Sequence, residues 1–92
     1  MADFKRSDLK YTYSWTAAKE NDNAKITGFP DSYLLDRNEG YEVLPYINRY
    51  MNSIDWKLES SFHKIEKAIR VDLPGTVRGH ASIKKWLLQN VS

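Results

Sequence analysis

The sequence predicts a small α+β domain in which an N-terminal β-hairpin packs on three α-helices. Three observations carry this expectation. Residues 9–16 alternate between apolar and polar side chains. Ile54, Leu58, Phe62, Ile65 and Ile69 recur at helical steps, and Ile83, Trp86, Leu87 and Asn90 open a second helical stripe beyond Leu73-Pro74-Gly75. A mostly α-helical domain with an ordered, non-strand N-terminal arm is the alternative.

The first strand is read from Leu9, Tyr11, Tyr13 and Trp15 on one face and Lys10, Thr12, Ser14 and Thr16 on the other. Successive side chains of a strand point to opposite sides, and these residue types favour strands. The cluster Glu20-Asn21-Asp22-Asn23 supplies turn chemistry, since Asn and Asp tolerate left-handed backbone. A short second strand around Ile26, within residues 24–28, would complete a hairpin over 8–28, and Phe29-Pro30-Asp31-Ser32 turns the chain out of it.

Asp36 followed three residues later by Glu39 has the spacing of a capping box. Val43, Leu44, Ile47, Tyr50, Met51 and Ile54 form an apolar face beyond it, so the first helix is expected near 41–52. Gly40 and Pro45 disturb that pattern. Either the helix bends near Tyr41, or 36–40 is a separate turn and the helix begins nearer Pro45. Asn52-Ser53 gives a break, with Ser53 or Asp55 available to cap a second helix over 54–71. Trp56 points away from the stripe of that helix, and a later start near Ser60 or Ser61 would relieve the conflict. A last helix is expected over 81–90. Ile47, Leu58, Phe62, Ile65, Ile69, Trp86 and Leu87 are the expected core.

Composition bounds the function. The 92 residues suffice for a single domain, 1–92, with residues 1–7 expected to be flexible. There is no cysteine, which excludes disulfides and thiolate metal sites. The N-terminus has no signal-peptide pattern and no segment has the length of a membrane span, so a cytoplasmic protein without a membrane partner is expected. Net charge is only +2, but residues 60–92 hold six Lys/Arg against two Asp/Glu, or +4, while residues 1–59 are at −2. Charge asymmetry of this kind marks a candidate binding end.

No nucleophile elbow, phosphate-cradling Gly-rich loop or His-Glu-x-x-His helix is present, and the chain is expected not to be an enzyme. His63 and Glu66 are three apart and would share a helix face, but no second such pair completes a metal site. Neither metal nor cofactor is therefore expected. The aromatic row Tyr11, Tyr13 and Trp15 has the character of a base-stacking platform, yet a domain this small needs such side chains inside.

The favoured surface is the solvent side of the 54–71 helix. There Lys57, Lys64 and Lys67 would contact phosphates and Trp56 would stack or wedge, beside Ser60 and His63. The short break before this helix has the length of a helix-turn-helix. Arg70, Arg78, His80, Lys84 and Lys85 form a second basic group around the loop 72–81. The sequence thus points to a small binding protein with nucleic acid as the favoured partner. The alternative is a protein-interaction module, an adaptor or inhibitor, using exposed aromatics such as Trp56, Tyr46 or those of the hairpin.

Overall fold

Apolar residues at helical spacing build three helices around one core. In the computed structural model, which describes residues 4–15, 35 and 37–91, α1 spans Gly40–Ser53 and α2 spans Glu59–Lys67. α2 runs on into a π-helical turn, Ala68–Asp72, and α3 spans His80–Asn90. No helix is long and apolar enough to cross a membrane among the described residues.

α1 begins at Gly40, where the Glu39 carboxylate accepts from the Tyr41 amide at 3.4 Å. Glycine is required here for a steric reason: a Cβ on Gly40 would run into the Trp15 indole. The helix passes through Pro45 instead of starting at it. Pro45 lies in the second turn and is half-buried, so only the Tyr41 carbonyl loses its helical donor, close to the end where solvent reaches. Val43, Tyr46, Ile47, Tyr50 and Met51 form the buried stripe.

α1 ends in a Schellman turn. The Trp56 amide donates to the Met51 carbonyl at 2.9 Å, the Asp55 amide reaches the Asn52 carbonyl at 3.4 Å, and Asp55 adopts φ 57°. Asp55 therefore closes α1 and does not cap α2. Ser53 does not cap it either, since its hydroxyl donates back to the Tyr50 carbonyl at 2.6 Å. The N-cap of α2 is Leu58, extended at φ −78° and ψ 141°, with no side-chain cap.

The expected helix over 54–71 is thus corrected at its front. Residues 56–58 are non-helical, and the start at Glu59 agrees with the later start that Trp56 required. Leu58, expected in the core, is 68% exposed, because at the N-cap its side chain no longer shares the Phe62–Ile65–Ile69 stripe. Phe62, Ile65, Ala68 and Ile69 of this segment are buried, as are Ile83 and Leu87 of α3, whereas Trp86 is only half-buried.

The β-hairpin is overturned. Among the described residues there is no strand, only an isolated parallel bridge between Ser14 and Glu39. The expected turn at 20–23, the second strand at 24–28, the turn at 29–32 and Asp36 of the capping box lie outside the described residues. Residues 9–15 cross the helices as an extended strap instead. Its backbone donors find partners other than a second strand: Lys10 and Tyr11 amides bond the Glu66 carboxylate at 3.1 and 3.2 Å, and the Ser14 amide bonds the Asn38 carbonyl at 2.7 Å. With those amides satisfied from helices and turns, no ladder is needed to satisfy them. The strap starts from Phe4, which stacks on Phe62 with centroids 4.4 Å apart and exchanges two backbone bonds with the Asn48 amide at 2.8 and 2.9 Å. A short 3-10 turn, Arg6–Asp8, follows.

Candidate functional site

Helical periodicity determines what α2 turns outward. Lys64, Ala68 and Asp72 follow at steps of four and share a face, with Lys67 beside them. Together with Asn90 and Val91 at the end of α3, these residues line an open pocket of about 270 Å³. Asn90 is oriented by its Nδ2, which donates a hydrogen bond to the Trp86 carbonyl at 2.8 Å. Both lysines are exposed. The pocket lies entirely within residues 60–92, the basic end of the chain.

The four residues expected to form the site are not gathered in one place. Lys64 and Lys67 are on α2 and share the pocket. Trp56 and Lys57 lie on the connector ahead of the helix and are not part of its lining. The Trp56 ring is half-buried against the core. Lys57 reaches Asp55 at 3.6 Å, both side chains well exposed, a pair that contributes little. His63 turns to another side of α2, where its Nε2 is 3.3 Å from Glu59 and its Nδ1 is 3.9 Å from Glu66. The connector between α1 and α2, residues 54–58, is longer than the three or four residues of a helix-turn-helix.

The second basic group is largely committed to structure. Arg70 donates to the Arg37 carbonyl and the Asn38 side chain, both at 2.7 Å, and lies 4.9 Å from the Tyr13 ring. Arg37 returns the contact with bonds to the carbonyls of Leu73, at 2.6 Å, and Arg70, at 3.2 Å. A guanidinium at the end of a helix meets carbonyls that have no helical donor and the negative pole of the helix dipole. Arg78 bonds the Gly75 carbonyl at 2.9 Å. His80 is buried at the start of α3, where Arg49 donates to its Nδ1 at 3.0 Å. Since arginine only donates, Nδ1 is the acceptor in that contact.

Two buried phenols complete the polar interior. Tyr13 donates to Glu66 at 2.8 Å, and Tyr46 donates to the His80 carbonyl at 2.8 Å. Burial, then the Glu66 hydrogen bond and charge, push the Tyr13 phenol well above its ordinary range. Burial does the same to Tyr46 and Tyr50, and it lowers Arg49. Tyr46 is fully buried and so is withdrawn from any partner surface. Tyr13 and Trp15 turn into the core, while Tyr11 remains 37% exposed beside Arg70.

Sequence reasoning missed Asp72 and Asn90 as members of the pocket. The step of four from Lys64 was the available signal for Asp72; nothing local could place Asn90 opposite it. Among the described residues no three His, Asp or Glu side chains converge as metal ligands. No family model, curated protein or solved structure matches the chain, so its function has to be argued from its own surface.

Proposed function

We propose that this domain is a non-enzymatic binding protein whose ligand is a nucleic acid held at the Lys64–Lys67 edge of α2. The observation that carries the reading is the convergence of two exposed lysines on one concavity at the basic end of the chain. Ammonium groups so placed neutralise phosphates and release their counterions, which is the main source of sequence-independent affinity. Phosphate contacts of this kind set register, and the pocket between the lysines and Asn90 is where selectivity would reside. Two lysines predict modest affinity and strong sensitivity to salt.

A labelled oligonucleotide titrated with protein at low salt, followed by fluorescence anisotropy, tests the reading. Wild-type protein should bind, and the Lys64→Ala/Lys67→Ala variant should bind at least tenfold more weakly, about 1.4 kcal/mol. A wild-type protein that leaves DNA and RNA unbound would sink it. The protein-interaction reading would then lead, supported by the exposed apolar side chains Leu58, Val71 and Leu88 and not by Tyr46.

A further inference from the structure

The pocket is not a purely positive one, and this distinguishes among nucleic acids. Asp72 lines it together with Lys64 and Lys67, and Asp72 and Lys67 form no ion pair with each other or with other described residues. The last carbonyls of α3, adjoining Asn90 and Val91, add further negative character. A site for phosphate alone would be weakened by a carboxylate within it. A ligand that carries an anion at one end and N–H donors at the other would use both charges.

Resting on the nucleic-acid reading above, we infer that the pocket takes one unstacked nucleotide of a single strand. Its backbone phosphate lies on Lys64 and Lys67, and an N–H group of its base donates to Asp72. The about 270 Å³ available is on the scale of a single nucleotide, and a base stacked within a duplex cannot enter it. The carboxylate also implies a base preference. Cytosine offers its exocyclic N4 amine as a donor, whereas thymine sets oxygen acceptors on either side of a single N–H. Asn90 accompanies Asp72 at the pocket wall and supplies an amide for the remaining polar atoms of the base.

The test compares oligo(dC), oligo(dT), a hairpin duplex and free dCMP against the full chain by anisotropy competition. Oligo(dC) should bind about fivefold more tightly than oligo(dT), the net worth of one ordinary hydrogen bond, and the duplex more weakly than either. Free dCMP carries the same phosphate and N4 amine, so at sufficient concentration it should displace oligo(dC). The variant Asp72→Ala decides the role of the carboxylate. If Asp72 reads the base, oligo(dT) gains affinity through relief of repulsion and the dC/dT ratio falls to about one. If both oligomers gain equally and a ratio above one persists, Asp72 is only a repulsive neighbour and the inference is overturned. Equal or tighter binding of the duplex, or no displacement by dCMP, also overturns it while leaving nucleic-acid binding intact. Failure of every strand to bind overturns both. Asp72 is exposed and its side chain bonds none of the described residues, so the variant should melt with the wild type.

Discussion

Glu66 is the residue on which the N-terminal strap depends. Its carboxylate is fully buried, and it accepts from the Lys10 and Tyr11 amides and the Tyr13 hydroxyl. A buried carboxylate is tolerable only when its oxygens are so occupied. Glu66→Gln keeps the shape but turns an amide toward three donors, and it should cost about 2 kcal/mol in urea denaturation, in line with hydrogen bonds to a charged group. Glu66→Ala leaves all three donors stranded and should cost about 3–5 kcal/mol, as for other broken buried charges. A loss below about 1 kcal/mol for both variants would show that the strap does not depend on this carboxylate.

The buried phenols make a prediction about pH at the same scale. Tyr13, Tyr46 and Tyr50 all ionise less readily folded than unfolded, where a tyrosine has its ordinary pKa of 10.0. The unfolded chain therefore gives up these protons first as pH rises. Stability should be level below that point and should fall above it, by up to about 1.4 kcal/mol per pH unit for each phenol. Denaturation midpoints between neutral pH and strong alkali measure this, and Tyr46→Phe should reduce the slope. A midpoint unchanged well above pH 10 would show the phenols to be accessible.

Elements show where sequence patterns can be read and where they stop. The stripe Phe62, Ile65 and Ile69 was legible because steps of three and four keep to one helix face while the odd step would cross a strand, and Ile65→Ala should cost about 2–5 kcal/mol. The front of the same helix was not legible. Ile54 and Leu58 continue the spacing, but the Schellman turn at Asp55 places them outside the helix. Asp55 sits in a left-handed conformation that glycine adopts at less cost, so Asp55→Gly should raise stability by about 0.5–1 kcal/mol. Trp56 follows that turn and packs on the core, so Trp56→Ala should lower the melting temperature.

The strap teaches the complementary lesson. Alternation in residues 9–15 identified the sides: Tyr13 and Trp15 face the core while Lys10, Thr12 and Ser14 are exposed. It could not identify the partner, because an extended segment satisfies its amides equally well on a second strand or on a carboxylate far along the chain. Glu66 lies 56 residues beyond Lys10, and no local pattern records such a pairing.

At the scale of the molecule, the described chain is a small single compact domain whose interior is apolar, with the Tyr13 and Tyr46 phenols, Glu66 and the His80 Nδ1 hydrogen-bonded inside. Its arginines near the second basic group are spent on carbonyl groups, while the exposed Lys64 and Lys67 line the pocket. The lysines were legible in the sequence as exposed helical positions, whereas their pocket was not, since Asn90 and Val91 at the end of α3 complete its wall.

The most direct measurement of this account is the salt dependence of binding to oligo(dT). Log affinity should fall linearly with log salt, by about 0.7 for each phosphate contact on a single strand. Lys64→Ala/Lys67→Ala should flatten that slope by about 1.4, two contacts, with the melting temperature unmoved because exposed lysines contribute little to folding. An identical slope for the variant and the wild type would place the phosphates elsewhere and contradict the central claim.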